Sequence, residues 1–374
     1  MKKAAFSLLL FALIACKAQE RVVIKEVFKE VDTSVSEVYP KNIILMIGDG
    51  MGLGQISAGM FYQGNKTVLE EFPVIGLHKP AAYDKLITDS AAAATSFSSG
   101  VKTYNGAIGV NADTIPVKTI LEEAEERGLA TGLVATSTIV HATPASFIAH
   151  NKLRKNYEEI AEDFLKTEVD IFIGGGKKYF DRREDDRNLL AEFKGYEISH
   201  YAEKELHELN LDTSVNIGYL TSDGDPLPAA QGRDYLPSAS RMAAEYLDRK
   251  GTKGFFLMIE GAQIDWGGHA NNSDYILTEF TDFDKAITQV LEYVKRDGET
   301  LLIVTADHET GGYAIQPEST PDSLVTAFTS TYHTGTMIPV FAYGPQSERF
   351  AGIYENTAIF HKMRAAYNWA ARKD

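Results

Sequence analysis

Acidic residues and histidines follow apolar runs at several distant places in this chain, and this pattern constrains its fold more than any other feature. The four main stretches are Asn42–Gly50, Thr88–Ala91, Glu260–His269 and Thr305–Glu309. A further histidine lies within Tyr332–Gly335. A buried strand that ends in Asp-His must give these groups a partner, because unpaired buried charge is costly. Divalent metal ions are the usual partner, so we expect the stretches to converge on a metal site.

Predicted strands alternate with predicted helices along most of the chain. This alternation favours an α/β fold with a mostly parallel central sheet and helices on both faces. Three of the polar stretches come directly after predicted strands, where open α/β sheets bind their ligands. The predicted strands are 42–47, 130–134, 170–173, 215–220, 255–259, 301–304 and 340–343, and the predicted helices are 117–126, 238–249, 277–295 and 356–371.

The chain has 374 residues and a net charge of −15. This charge repels a phosphate backbone, so we expect no nucleic-acid binding as a function. The same charge opposes a phosphate-ester substrate unless many of the carboxylates are metal ligands, whose ions reverse the local field.

The first sixteen residues have the pattern of an export signal. Two lysines precede an apolar run, residues 4–15, that is too short to span a membrane as a stable helix. Residues 13–16 resemble a lipoprotein cleavage box that ends at the acylated Cys16, and ordinary cleavage after Ala18 is the alternative. In both cases we expect an exported protein, either periplasmic or anchored to the membrane through a lipid on Cys16. Because Cys16 is the only cysteine, we expect no internal disulfide.

The rest of the chain divides into a tether and one domain. Residues 17–40 are charged and lack a sustained apolar face, so we interpret them as a tether. Residues 41–374 form the predicted catalytic domain. The polar region at about 177–235 is expected to be an excursion over the active-site face, with a second small domain as the alternative.

Two short motifs have both a chemical and a structural interpretation. Asp49 lies between two glycines after a predicted strand, where it can reach an ion or cap a helix. Ser90 lies in the first turn of a predicted helix, whose free N–H groups favour bound phosphate. A serine needs a base or a metal to become a nucleophile, and ions held by Asp49 and by Asp307-His308 could activate it. Alone, Asp89-Ser90 is more typical of a helix cap.

The remaining polar residues divide by the chemistry of their ligand atoms. Asp265, His269 and His333 make one oxygen and two nitrogens, which is a typical zinc set, and Asp307-His308 can hold a second zinc. Gly267 and Gly268 favour a loop there. Glu260 and Thr143 offer the hard oxygens that Mg²⁺ prefers. Arg154 offers a planar fork for two phosphate oxygens, or is a solvated arginine at a helix end.

With these motifs in place, the chain resembles the alkaline phosphatases. The resemblance covers residues 41 to about 345 and includes five motifs in the family's order. They are Thr88-Asp89-Ser90-Ala91, Glu260-Gly261 with Ile264-Asp265 and His269, Thr305-Ala306-Asp307-His308, His333-Thr334-Gly335, and His141-Ala142-Thr143-Pro144 with Arg154. A chance match to all five in order is not credible.

The resemblance implies a hydrolase of small phosphate monoesters with an alkaline pH optimum and a phosphoserine intermediate. It implies that Ser90 is the nucleophile and that Arg154 clamps the phosphate. It also implies two Zn²⁺ ions and one Mg²⁺ ion, with Asp49 shared between the second and third sites. The implied ligands are Asp265, His269 and His333 for the first zinc, Asp49, Asp307 and His308 for the second, and Asp49, Thr143 and Glu260 for magnesium.

Two residues depart from one bacterial pattern of the family. His141 lies where some members have aspartate, and Trp266 lies where those members have lysine. An imidazole near an oxygen-rich site puts the identity of the third metal in doubt, so Zn²⁺ or Co²⁺ could compete there. The resemblance allows a homodimer, and because the chain is shorter than many members we expect the dimer-forming additions to be reduced.

Two other functions fit part of the sequence. A phosphodiesterase or sulfatase of the same superfamily shares the metal ligands, but a sulfatase needs a different sequence around its nucleophile, and a diester gives the Arg154 fork less charge to hold. A binding protein that captures metal or phosphate outside the cytoplasm would need the ligands but not Ser90. The serine therefore favours an enzyme, and the arginine favours a monoesterase.

Overall fold

A computed structural model describes residues 38–369 of the chain. The predicted signal segment, with Cys16, and nearly all of the predicted tether lie outside the described residues. All residues from 38 to 369 belong to one compact unit. Within this range, no helix combines the length and the apolar character that a membrane span requires.

Within residues 38–369, ten strands form a single sheet, and four further strands form two small ribbons. The strands are β1 Asn42–Gly48, β2 Val74–Lys79, β3 Ala130–Thr138, β4 Ile171–Gly175, β5 Tyr196–His200, β6 Asn216–Leu220, β7 Phe255–Gly261, β8 Thr300–Thr305, β9 Glu309–Thr310, β10 Ala314–Ile315, β11 Thr326–Ala327, β12 His333–Thr334, β13 Ile338–Tyr343 and β14 Gly352–Glu355. The order across the large sheet is β14-β2-β13-β8-β1-β7-β3-β4-β6-β5. Only β13 runs antiparallel to its neighbours in this sheet, β2 and β8. The predicted, mostly parallel central sheet is therefore confirmed.

Helices cover both faces of this sheet. The α-helices are α1 Leu53–Tyr62, α2 Ser90–Ser99, α3 Ile120–Glu126, α4 Ala142–Ile148, α5 Tyr157–Asp163, α6 Lys178–Asp181, α7 Tyr235–Lys250, α8 Gln263–His269, α9 Ser273–Asp297 and α10 Thr357–Ala366. Alternate side chains of β1 point to opposite faces: Ile44 and Met46 join the core beneath α7 and α9, and Ile43 and Leu45 join the core beneath α2, α3, α4 and α10. A strand buried on both faces explains the uninterrupted apolar run of β1.

Most predicted elements are present, with shifted ends. Helix α3 begins at Ile120 rather than 117, because Thr119 and Glu122 form a capping box. Helix α10 ends at Ala366 rather than 371, where the chain turns through Asn368 with a φ of +56°.

The expected loop at Gly267 and Gly268 is wrong, because both residues lie within α8. Because neither glycine has a side chain, neighbouring residues can pack closely against the helix. A Cβ on Gly267 would lie 2.8 Å from the backbone nitrogen of Ile276, and one on Gly268 would lie 2.8 Å from Cβ of Thr310. The two glycines therefore let the helix lie against its neighbours rather than bend the chain.

Part of the polar region 177–235, which was expected to be an excursion over the active-site face, belongs to the central sheet. Two of its segments pair as β5 and β6 and extend the sheet at one edge. Its last part reaches the strand ends near the polar motifs. There, Asp225 accepts a hydrogen bond from the Thr138 amide at 2.9 Å, and the Pro226 carbonyl accepts one from Gln263 at 3.0 Å.

Candidate active site

Three neighbouring parallel strands deliver the acidic motifs to one edge of the sheet. Strand β1 lies between β7 and β8, and its Ile47 is level with Glu260 on one side and Thr305 on the other. The chain can turn directly after Asp49 because Gly50 has a φ of +75°. A Cβ on Gly50 would lie 2.6 Å from Cα of Asp265, so the glycine also allows a close approach.

Asp265, His269 and His333 form the first cluster of ligand atoms. One ligand atom from each residue lies within 4.8 Å of the other two. Nε2 of His269 is 3.3 Å from one oxygen of Asp265, and Nε2 of His333 is 3.5 Å from the other. Helix α8 places Asp265 and His269 on one face, because residues four apart in a helix lie one above the other.

Hydrogen bonds on the far sides of the two rings orient this cluster. Nδ1 of His269 lies 2.7 Å from the Thr331 carbonyl, and Nδ1 of His333 lies 2.7 Å from the Thr88 carbonyl. Each Nδ1 must carry the proton and donate it, so each Nε2 lone pair faces the cluster. The two Nε2 atoms are 3.1 Å apart. Two lone pairs this close repel one another unless a proton or a cation lies between them. The arrangement therefore fits a cation shared by the two rings.

Asp49, Asp307 and His308 form the second cluster and are fully buried. Nε2 of His308 lies 3.0 Å from Oδ2 of Asp307 and 3.6 Å from Oδ1 of Asp49. Oδ1 of Asp307 accepts from the amides of Gly50 and His308 at 3.1 and 3.0 Å. Among the described residues, both oxygens of Asp49 and Oδ2 of Asp307 have no hydrogen-bond donor. Orphaned buried carboxylate oxygens are the atoms that a cation would satisfy.

A third, oxygen-rich group adjoins the second cluster. Oε2 of Glu260 accepts from the Ser137 hydroxyl at 2.9 Å, whereas Oε1 has no hydrogen bond within the described chain. The buried Thr143 hydroxyl lies near enough to Glu260 to favour its charged form, but outside hydrogen-bond geometry. These unsatisfied oxygens fit a hard cation such as Mg²⁺.

Burial and mutual repulsion perturb the carboxylates of this region. Burial raises the pKa of Glu260 to about 8 and that of Asp49 well above its usual range, and Asp307 adds repulsion to both. For Asp265, burial is outweighed by the hydrogen bond with His269 and the charge of His308, which hold its pKa below the usual value. The same hydrogen bond with Asp265 raises the pKa of His269 to about 9. Protons therefore compete with any cation for these ligands.

Ser90 is the first residue of α2, but it does not cap the helix. Asp89 does so, because its Oδ1 accepts from the Ala92 amide at 3.0 Å. Ser90 is a buried residue, and its hydroxyl lies 3.4 Å from Nε2 of His308. The structure thus places Ser90 beside the second cluster.

Arg154 is held in a turn between α4 and α5, so its interpretation as a solvated helix-end arginine is wrong. Its guanidinium pairs with Oδ2 of Asp89 at 3.0 Å, and its amide donates to the Gly106 carbonyl at 2.7 Å. Its NH2 nitrogen lies 3.4 Å from Nε2 of His141. Burial and then the charge of Arg154 lower the pKa of His141 to about 3, so this imidazole is neutral. The ring of Trp266 packs against it in a T-shaped arrangement, with centroids 6.1 Å apart.

Sequence reasoning overlooked the residues that orient the ligands. Thr310 donates its hydroxyl proton to Asp265, and Glu309 binds Gln55 and Thr334. The one signal for them was the position of Glu309-Thr310 directly after Asp307-His308.

The structure brings all the sequence-predicted site residues to one edge of the sheet. Two clusters of three ligands, an oxygen-rich third group, a buried serine and an arginine lie together there and define the candidate active site of a metal-dependent hydrolase.

Comparisons with known proteins identify the family. The alkaline phosphatase family model matches residues 40–327 and 323–369. Alkaline phosphatase 3 of Bacillus subtilis is 36% identical over 407 residues, which cover 85% of this chain and 87% of that protein. The alkaline phosphatase of the Antarctic bacterium TAB5 is 42% identical, with a TM-score of 0.85 over 89% of this chain and 99% of that one. A mutant of the TAB5 enzyme, with a histidine replaced by aspartate, has Mg bound in its M3 site; it is likewise 42% identical, with a TM-score of 0.84 over the same shares of the two chains. The chain belongs to the alkaline phosphatase family and is a phosphoric monoester hydrolase.

Proposed function

We propose that the chain hydrolyses small phosphate monoesters through a phosphoserine on Ser90, with two Zn²⁺ ions and one Mg²⁺ ion. The observation that carries this proposal is the position of the Ser90 hydroxyl, 3.4 Å from His308 and next to the Asp89–Arg154 pair. A buried serine between candidate metal ligands and a guanidinium supports a role in nucleophilic attack on a phosphoryl group.

The donor atoms assign an ion to each group of ligands. Zinc suits the two clusters that contain imidazole nitrogens, and magnesium suits the oxygen-rich group. When bound, the ions would neutralise charge on the phosphoryl group and lower the pKa of a hydroxyl or water. The proposed ligands are Asp265, His269 and His333 for the first Zn²⁺, Asp49, Asp307 and His308 for the second, and Asp49, Thr143 and Glu260 for Mg²⁺.

Ser90 and Arg154 perform the steps that belong to the chain itself. The Ser90 hydroxyl loses its proton, its oxygen attacks phosphorus to form a Ser90 O–P bond, and the bond to the alcohol oxygen breaks, so that the alkoxide leaves and takes a proton from solvent. A water molecule then attacks phosphorus and loses a proton to solvent, the Ser90 O–P bond breaks, and inorganic phosphate leaves while the Ser90 oxygen is reprotonated. Arg154 binds two non-bridging phosphoryl oxygens through its fork, and Asp89 fixes its orientation. A diester has fewer charged oxygens for this fork, which favours monoesters.

We propose that activity rises toward alkaline pH. The ligands must be deprotonated to bind cations, and the pKa values of Glu260 and His269 are raised to about 8 and 9. A higher pH also favours the serine alkoxide.

We propose that His141 adjoins the third ion and decides its identity. Its neutral ring is a softer neighbour than a carboxylate, so Zn²⁺ or Co²⁺ competes with Mg²⁺ there. The TAB5 mutant with aspartate in place of histidine and Mg in its M3 site supports a link between these residue types and the metal.

Export is proposed from the N-terminal sequence alone. We propose cleavage before Cys16 and lipid attachment to it, with cleavage after Ala18 as the alternative product.

The homodimer also stays a prediction, which sedimentation of the purified protein tests.

One experiment tests the proposed reaction. The purified protein would be assayed with a monoester and a diester at pH 7 to 10, with its metal content measured by mass spectrometry and ³²P trapped at acidic pH. We expect faster monoester turnover, both metals, and label on Ser90. Equal or faster diester turnover, or label on another residue, would overturn the proposal.

A further inference from the structure

Glu309 directly follows the candidate metal ligands Asp307 and His308 but is not in either ligand cluster. Its carboxylate instead accepts hydrogen bonds from neighbouring backbone and side chains. The residue is 4% exposed. Its Oε1 accepts from the side-chain amide of Gln55 at 2.8 Å and from the Tyr313 amide at 3.0 Å. Its Oε2 accepts from the Gly312 amide at 3.2 Å and from the Thr334 hydroxyl. All four donors are neutral, so this carboxylate organises backbone and side chains rather than balancing a cationic partner.

These hydrogen bonds join three elements of the fold. Strands β9 and β12 pair antiparallel, with Glu309 opposite Thr334 and Thr310 opposite His333. Gln55, in α1, also donates to the Thr310 carbonyl at 2.7 Å. The carboxylate of Glu309 thus fixes α1 and the strand that carries His333 to the strand that follows His308.

The same ribbon, β9 with β12, contacts both ligand clusters. The ring of His333, from the first cluster, stacks on the ring of His308, from the second, with centroids 3.5 Å apart. Thr310 donates to Asp265 of the first cluster and lies 3.2 Å from Nδ1 of His308. A shift of β12 along β9 would move a ligand of one cluster relative to the other.

The surrounding backbone leaves room for this carboxylate. A Cβ on Gly52, immediately before α1, would lie 2.4 Å from Cγ of Glu309. Glycine at this position lets the start of α1 lie against the glutamate.

We propose that Glu309 is a positioning residue that fixes the separation of the two metal clusters by clamping β12 to β9 and α1. This inference rests on the proposed function, because it assumes that both clusters bind ions. Substitution of outer residues that orient metal ligands typically weakens metal binding or activity about 10- to 100-fold.

The test compares Glu309→Gln, Glu309→Asp and the parent as full metal-loaded proteins. Zn²⁺ affinity is titrated against a competing chelator, and kcat, KM and Tm are measured in parallel. Glu309→Gln turns one acceptor into a donor that faces other donors, so we expect about tenfold weaker binding of at least one Zn²⁺. We also expect a lower kcat at saturating Zn²⁺, since the cluster spacing itself is changed. Glu309→Asp should recover part of both losses.

Glu279→Gln is the matched control. Glu279 is equally buried and accepts from the Ala229 amide and Arg233, neither of which is a candidate metal ligand. We expect it to lower Tm while Zn²⁺ affinity stays at the parental value.

A milder pair of variants covers the case in which Glu309→Gln does not fold. Thr334→Val removes one hydrogen bond at constant shape and should weaken Zn²⁺ binding, whereas Thr334→Ser should retain parental affinity. Parental Zn²⁺ affinity and kcat in folded Glu309→Gln, or in Thr334→Val if Glu309→Gln does not fold, would overturn the positioning role. A parent that binds no Zn²⁺ would instead overturn the proposed function.

Discussion

Asp89 and Ser90, two adjacent residues at the start of α2, have different roles. Asp89 caps the helix and holds Arg154, and Ser90 presents a hydroxyl that neither contact uses. Sequence reasoning allowed Ser90 itself to be the cap. Because the structure assigns capping to Asp89, stability and chemistry can be separated by single substitutions.

Ser90→Ala should therefore remove the phosphoenzyme and most turnover without a loss of stability. The free energy of unfolding should change by no more than about 0.5 kcal/mol, since the serine does not cap α2 and its contact with His308 is long, at 3.4 Å. Some turnover can remain through direct attack by water. Asp89→Ala is the contrast, because loss of the cap should cost about 1 kcal/mol. Urea unfolding and ³²P trapping on both variants check this, and unchanged turnover in folded, metal-loaded Ser90→Ala would show that the nucleophile is misassigned.

Arg154→Ala should weaken phosphate binding and slow the reaction without abolishing the phosphoserine. We expect a loss of about 2–4 kcal/mol in transition-state stabilisation, because a charged donor is removed from a partly desolvated site. Arg154→Lys keeps the charge but not the fork, so its kcat/KM should lie between those of Arg154→Ala and the parent. The phosphate inhibition constant and kcat/KM measure both effects. An unchanged inhibition constant in Arg154→Ala would show that the guanidinium only supports Asp89.

His141→Asp should raise the preference of the third site for Mg²⁺. A carboxylate is a harder ligand than an imidazole, and it also orients water around Mg²⁺ better. The comparison needs metal content and Mg²⁺-dependent activity for the parent and the variant. Trp266→Phe is the control, since it alters the ring that packs on His141 without adding an oxygen. If Mg²⁺ content and dependence stay the same in His141→Asp, the histidine is a packing residue.

At the scale of elements, the sequence predicts the central strands well, but it predicts poorly the short elements that hold the metal ligands in position. Strand β1 was identifiable because a strand between parallel neighbours is apolar throughout. Helix α8 was misread because glycines that serve close packing look the same in sequence as glycines that serve a loop. The two-residue strands β9 and β12 have no periodicity to detect, and they pair only through residues far apart in sequence, Thr310 with His333 and Glu309 with Thr334. The motifs predicted that the metal ligands lie close together. They did not predict the residues that hold those ligands in place through hydrogen bonds.

Helix α3 is tied to the segment that carries Arg154 by a histidine whose contribution depends on pH. Nε2 of His150 lies 3.0 Å from Glu122, Nδ1 faces the Gly109 carbonyl, and Asp163 accepts from the His150 amide at 3.0 Å. Burial lowers the pKa of His150, but these groups outweigh it, Glu122 first, and hold the pKa above 6.5. A raised folded-state pKa means that the stabilisation is fully present below about pH 6.5 and is lost as pH rises through the folded value.

His150→Gln should accordingly destabilise the protein more at pH 6 than at pH 9. The expected loss at pH 6 is about 1–2 kcal/mol, typical of a charge-assisted hydrogen bond. Urea unfolding of the parent and the variant at the two pH values gives the loss in the free energy of unfolding at each pH. In a Glu122→Gln background, the difference between these two losses should be smaller. A loss that is equal at both pH values would mean that His150 is held neutral.

The charge of the whole molecule is linked to its metal content. The chain carries −15, and the two clusters and the third group concentrate several buried carboxylates at one edge of the sheet. Burial and then repulsion by neighbouring carboxylates raise the pKa of Asp49, and cations there would lower this repulsion. Metal binding should therefore stabilise the fold as well as permit catalysis.

Exhaustive chelation should abolish activity and lower Tm together. An ion held at 100 times its Kd contributes about 2.7 kcal/mol, so loss of the ions should lower Tm on the order of 5 °C or more. Zn²⁺ with Mg²⁺ should restore both properties, and Zn²⁺ alone should restore them in part. The Tm difference should shrink as pH falls, because protons displace cations from His269, whose pKa is raised to about 9. Asp265→Asn with His333→Ala removes two ligands of the first cluster and should show a smaller shift on chelation. Full activity after chelation, or an equal shift in this double variant, would rule out the proposed metal sites as the source of the effect.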